Sequence, residues 1–311
     1  MPVERNMESL AERLARGEVI ILDGATGTEL QHRGVPMHGI AWSAAALLTH
    51  PDTVRAVHED YIRAGADVIT ANSFSTARHV LELAGMGDRV RELNTRSVAL
   101  AREARDNVAG KRPVYIAGSI STFDPGLDER NRPSPAAAQA NYREQAERLA
   151  EAGVDLIVLE MMRDIERSKP AVSAAMAVGL PVWVGFSCKM ADDDVTVTML
   201  DGDSFGEGLG TIMSIGGSVV NVMHTLAEDI APALKVVREH WSGPTGAYAH
   251  SGDFVNPNWI WVNTISPEAY VAEALRWVEM GAQIVGGCCG IGPEHIRLLK
   301  EQLPTHIPGA G

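Results

Sequence analysis

Eight short β-branched runs, each closed by glycine or a polar cluster and each followed by helical periodicity, constrain this chain more than any other feature. They are "VIILDG" (19–24), "DVITANSF" (67–74), "PVYIAGS" (113–119), "DLIVLE" (155–160), "PVWVGFSC" (181–188), "SVVNVMH" (218–224), "TGAYAHS" (245–251) and "QIVGGCC" (283–289). Apolar runs of this length suit strands buried on both faces of a parallel sheet. Between them lie amphipathic stretches such as "PDTVRAVHEDYIRAGA" and "NYREQAERLAEAGV". Several of these end in Ala-Gly-Ala, Ala-Gly-Val or Met-Gly-Ala, where glycine can take the left-handed position that closes a helix. Eight β–α units in 311 residues predict a closed (β/α)8 TIM barrel, an α/β fold, with residues 1–311 as a single domain. An open doubly wound sheet would more often carry a glycine-rich phosphate loop after its first strand, and "LDGATGTEL" lacks that spacing.

Charge and composition exclude some functions. The formal charge is −13, from 27 basic and 40 acidic residues, which disfavours a nucleic-acid partner. No apolar stretch is long enough to span a membrane, and "MPVERNMESLAERLARGE" reads as a charged amphipathic helix rather than a signal peptide. Three cysteines make no disulfide framework, so a reducing cytoplasm is expected, where clustered thiols suggest metal or catalysis. The acidic "ADDDVTVTMLDGDSFGEG" (191–208) and the segment "HSGDFVNPNWIWVNTISPE" (250–268) are expected to be long loops or lids on the face where barrels place their chemistry.

Cys288 and Cys289 fall at the carboxyl end of the eighth run, flanked by glycines that let both sulfurs face one point. Catalytic Zn2+ takes three protein ligands and keeps a fourth position open, so two thiolates require a third ligand from elsewhere.

The run "GGCCGIGPEHI" resembles the zinc-binding signature of the homocysteine S-methyltransferase family. Other segments agree in order: "ILDGATGTEL" (21–30), "AWSAAALLTHPDTVRAVHEDYIRAGADVITANSF" (41–74), "GSISTFDPG" (118–126), "AGVDLIVLEMMRDIERSK" (152–169) and "YAHSGD" (248–253). The resemblance covers nearly the whole chain and independently implies the barrel. It implies a zinc-dependent S-methyltransferase that moves a methyl group from a sulfonium or quaternary ammonium donor to the thiol of homocysteine. It further implies that Asp23, Gly24 and Thr26 help hold the acceptor, that Glu160 binds its ammonium, and that Trp42 offers an indole face to a cationic donor. Asn72, Ser119 and Asn221 are expected at the rim, orienting the acceptor. Tyr248 and His250 are expected near the donor. Plainer roles are a turn for Asp23 and packing for Trp42. Met161 stands where the family usually has threonine. His58, His79 and His295, in helical or loop contexts, are expected to be solvated.

The chain departs from the family at the third ligand. A cysteine is expected after Asn221, but Val222 stands there. One substitute is His224, two residues on and on the same side of an extended segment. Another is Cys188, at the end of the fifth run. A third possibility is a site without metal and with altered chemistry. The rival functions are a methyltransferase or demethylase acting on another thiol or donor, and a non-catalytic small-molecule-binding barrel. Because the chain lacks the C-terminal arm that builds tetramers in some relatives, a monomer or homodimer is expected.

Overall fold

The computed structural model describes residues 8–123, 131–255 and 260–309. Residues 124–126 of the third family-like segment, 256–259 of the second long loop and 1–7 of the amphipathic start lie outside the described residues.

All eight expected strands form. They are β1 (Ile20–Ile21), β2 (Val68–Ala71), β3 (Tyr115–Ser121), β4 (Leu156–Met162), β5 (Val182–Phe186), β6 (Val219–Leu226), β7 (Thr245–His250) and β8 (Ala282–Val285). They make one parallel eight-stranded sheet in the order β1-β8-β7-β6-β5-β4-β3-β2. A parallel pair between Leu22 and Val68 joins the two ends, so the sheet closes into a (β/α)8 barrel. The outer helices are α1 (Pro51–Ala64), α2 (Val90–Val108), α3 (Pro135–Ala152), α4 (Ile165–Met176), α5 (Phe205–Met213), α6 (Ala227–His240), α7 (Pro267–Glu279) and α8 (Pro293–Gln302). Their ends follow local chemistry. Ser134, Asp164, Ser204 and Ser266 accept hydrogen bonds from backbone N–H groups in the first turns of α3, α4, α5 and α7. Gly65 and Gly153 close α1 and α3 in the left-handed conformation, as their sequence positions predict.

Alternation along the strands sorts side chains into two cores. Val68, Tyr115, Leu156, Val158, Trp183, Val219 and Ile284 fill the barrel interior. Their neighbours Ile69, Ile116, Ile157, Val184, Val220 and Val285 pack outward against the helices. The two expected long loops contain short antiparallel hairpins, Cys188–Met190 with Val197–Met199 and Asp253–Val255 with Ile260–Val262. Among the described residues, no helix is long and apolar enough to cross a membrane.

Three histidines expected in solvent are buried. His58 lies on the inward stripe of α1 with Val54, Val57, Tyr61 and Ile62. The His79 ring packs edge-on against Tyr142, and His295 accepts from Gly292 N at 3.2 Å near the start of α8. Their polarity suggested the surface, but their helical phase turns them toward the barrel.

Candidate active site

Two strands break the barrel's alternation at the same level. In β4 the pairing moves from Leu159–Val184 to Met162–Phe186, which inserts one extra residue. In β6 it moves from Met223–Tyr248 to Leu226–His250, with the same effect. Each bulge holds a left-handed residue, Met161 at φ 57° and His224 at φ 44°. Non-glycine residues adopt this conformation only where the surroundings enforce it, and they cluster at functional sites. The consequence is that two consecutive side chains of each strand, Glu160 with Met161 and Met223 with His224, face one cavity at the carboxyl end of the barrel. The cavity measures about 630 Å3 including its open mouth.

This corrects the sequence argument about His224. Val222 packs outward among the helices, so simple alternation would send His224 the same way. The bulge and the left-handed backbone turn it inward instead. Its Nδ1 lies 3.5 Å from Cys288 Sγ, which is 3.9 Å from Cys289 Sγ. One ligand atom from each of the three residues lies within 4.8 Å of the others. Two sulfurs bonded to one tetrahedral zinc lie about 3.8 Å apart, and a sulfur and a nitrogen about 3.6 Å, so this donor set fits the ion. The His250 ring lies tilted by 34° against that of His224, with centroids 4.5 Å apart, and burial pushes its pKa down to about 4, keeping it neutral. Cys188 takes no part in this cluster. It is buried in the outer core, where its backbone N–H donates to Thr225 Oγ1 at 2.9 Å.

The paired cysteines follow β8 on a loop tied to its neighbours. Gly287 N donates to Asp23 O at 3.0 Å and Cys288 N to Ala249 O at 2.9 Å. Asp23, just past β1, accepts from Thr70 N at 2.7 Å and Thr70 Oγ1 at 2.9 Å. Burial, with a lesser contribution from the Glu160 charge, pushes its carboxyl up to about 8. Glu160 accepts from the Ser119 hydroxyl, and burial pushes it up to about 7. No lysine or arginine is among the described residues lining the cavity. Two carboxylates, Asp23 buried and Glu160 half-buried, with no such basic partner lining the cavity beside them, make this a place for an incoming cation.

Gly24, Thr26, Trp42, Asn72, Ser119 and Tyr248 also line the cavity. Asn72 accepts from Ser43 Oγ at 2.7 Å and so ties the Trp-Ser segment to the end of β2. Trp42 also has a positive φ, 44°, and meets Phe74 edge-on with centroids 5.7 Å apart; Phe74 in turn lies 6.3 Å from Phe123. Its indole presses on Gly27, where a Cβ would lie 2.3 Å from Trp42 Cζ2. Asn221 is not at the rim. It is fully buried inside the barrel, and its amide atoms have no partner among the described residues. Sequence reasoning did not give Thr70, Phe74 and Met223 a role in the cavity. Met223 carried a signal, standing two residues after Asn221 on the inward face of β6.

The closed barrel gathers two thiols, an imidazole and two carboxylates around one cavity at its carboxyl rim, the face on which barrel enzymes carry their chemistry. The sequence model described as homocysteine S-methyltransferase matches residues 20–303, and the chain belongs to that family. Selenocysteine methyltransferase from Astragalus bisulcatus is 28% identical, covering 93% of this chain and 95% of its own. Homocysteine S-methyltransferase YbgG from Bacillus subtilis is 28% identical, covering 90% and 92%. The crystal structure of the homocysteine methyltransferase MmuM from Escherichia coli in its metallated form superposes with a TM-score of 0.78, at 24% identity and over 94% of this chain and 99% of that one.

Proposed function

We propose that this protein is a zinc-dependent methyltransferase that moves a methyl group from a sulfonium or quaternary ammonium donor to the thiol of homocysteine, giving methionine. One observation carries the reading: the Cys288–Cys289–His224 cluster and the carboxylates of Asp23 and Glu160 open on the same cavity. His224, Cys288 and Cys289 are the residues that would hold zinc, and the bound ion would keep an acceptor thiol ionised near neutral pH.

The remaining work falls to the chain. Glu160, held by Ser119, receives the acceptor's ammonium and offsets the burial cost of its own charge. Asp23, fixed by Thr70, has its carboxyl pushed up to about 8 and is mostly protonated in the empty site; a cation arriving beside it favours its ionised form. Trp42 and Phe74 offer aromatic faces to the donor, an attraction of ~0.5–2 kcal/mol for a desolvated cation. During transfer the donor's bond to the methyl carbon breaks, and its electron pair stays on the donor heteroatom. The acceptor sulfur supplies the pair for the new bond. The donor's positive charge vanishes, so a dry aromatic wall assists departure of the neutral product. In this reading residues 1–311 act as one barrel domain.

The test is elemental analysis of reduced protein, alongside mass spectrometry of methyl transfer from a panel of donors to homocysteine and selenocysteine. About one zinc per chain is expected. His224→Ala should lose most of it, and a Cys288→Ser/Cys289→Ser double variant should lose both metal and activity. Undiminished zinc in the His224 variant would refute its assignment as a ligand. Full activity in the double variant would end the metal reading altogether.

A further inference from the structure

The two bulges are tied to each other. Met161 N donates to the thioether sulfur of Met223 at 3.2 Å, and Ser187 Oγ donates to the same sulfur at 3.4 Å. The Met161 carbonyl accepts from Thr122 Oγ1 at 2.6 Å. Side chains therefore satisfy both backbone groups of this left-handed residue. Met223 immediately precedes His224, the left-handed residue of the other bulge. To reach Met161 its side chain crosses the end of β5, and the crossing depends on Gly185: a Cβ there would lie 2.9 Å from Met223 Cγ and 2.7 Å from Leu159 O. Met223 is 1% exposed, so neither donor on its sulfur has water as a ready substitute.

We propose that Met223 is a positioning residue that couples the two arms of the site, its sulfur fixing the Glu160-bearing bulge of β4 against the His224-bearing bulge of β6. Given the function proposed above, this makes acceptor binding and metal retention depend on one thioether, whose sulfur is committed to the Met161 N–H and the Ser187 hydroxyl. A leucine here fills nearly the same volume but accepts no hydrogen bond, leaving the Met161 N–H and the Ser187 hydroxyl unpaired. The β4 turn then loses its brace and Glu160 loses its fixed height in the cavity. A glutamine keeps an acceptor at about the same reach.

The experiment compares wild type, Met223→Leu, Met223→Gln and Thr122→Val as zinc-loaded full-length chains. Three measurements are made: hydrogen exchange at the Met161 amide, the KM for homocysteine, and zinc loss to a chelator. In Met223→Leu, Met161 exchange, acceptor KM and zinc loss should each rise about tenfold, the scale of one unpaired buried donor. Met223→Gln should stay within about threefold of wild type. Thr122→Val, which removes support from the β4 bulge alone, should raise acceptor KM and leave zinc retention unchanged. Met223→Leu with wild-type exchange and KM would overturn the proposal. If that variant does not fold, the wild-type Met161 amide decides: slow exchange is expected, and exchange at the rate of an open amide overturns the tie. A wild-type chain without zinc or methyl transfer would sink the proposed function, while the exchange measurement would still decide the role of Met223.

Discussion

Replacing Glu160 with glutamine should make the free protein more stable and the enzyme worse, and the stability gain should depend on pH. Glutamine keeps an oxygen for the Ser119 hydroxyl and removes only the charge. Burial lifts the Glu160 carboxyl from its ordinary 4.5 to about 7, so the folded chain holds this proton more tightly than the unfolded chain. Between those pH values the folded state binds more protons, and stability falls as pH rises. At ~1.4 kcal/mol per pH unit the loss reaches ~3 kcal/mol above pH 7. Glutamine has no proton to lose and avoids it. Glu160→Gln should therefore match wild type near pH 4.5 and exceed it by ~3 kcal/mol at pH 8, about 5 °C in midpoint for a chain of this size. The gain is shared in part with Asp23, whose carboxyl is held up partly by the Glu160 charge, so the two titrate together. The same change removes the partner of a buried ammonium, which should raise the acceptor KM by roughly 10–100-fold. The assay is thermal unfolding of chelator-treated wild type and variant at pH 5 and pH 8, with acceptor KM measured on the zinc-loaded forms. A variant destabilised equally at both pH values, or one with an unchanged KM, would show that Glu160 is a structural acid and that the charge argument is wrong.

Gly27→Ala should drive the Trp42 indole aside, since the new Cβ would sit 2.3 Å from Cζ2. The expected result is a donor KM raised about tenfold with acceptor KM within about twofold, at a stability cost of ~1–3 kcal/mol; a crystal structure of the variant with an unmoved indole would refute the packing argument. His58 is fully buried, its ring nitrogens have no partner among the described residues, and burial pushes its pKa down to about 4. The unfolded chain takes up this proton below about 6.5 and the folded chain does not, so stability is lost as pH falls from about 6.5 toward 4, by ~3 kcal/mol at the end. His58→Leu should flatten that loss; urea midpoints at pH 7 and pH 5 that fall as steeply as in wild type would count against it.

The sequence by itself determined the barrel. Eight apolar runs with glycine and serine punctuation leave few other ways to bury strands on both faces, and all eight strands formed where they were expected. It also determined the family, because Cys288, Cys289, Asp23 and Glu160 belong to motifs of contiguous residues and strand ends, which survive as strings. Only the tertiary structure decided which side chains meet. By alternation alone Val222 and His224 share a face, yet Val222 packs against the helices and His224 faces the thiols. The cause is one extra residue in β6 and a left-handed backbone at a histidine, a conformation that residue type does not announce. The burial of His58 was legible in the helical phase it shares with Val54, Val57, Tyr61 and Ile62, though its polarity argued for the surface. The tie from Met223 to Met161 and the inward turn of His224 were hidden. Each depends on what a neighbouring strand or helix places opposite, and that is fixed by closure of the barrel rather than by local sequence.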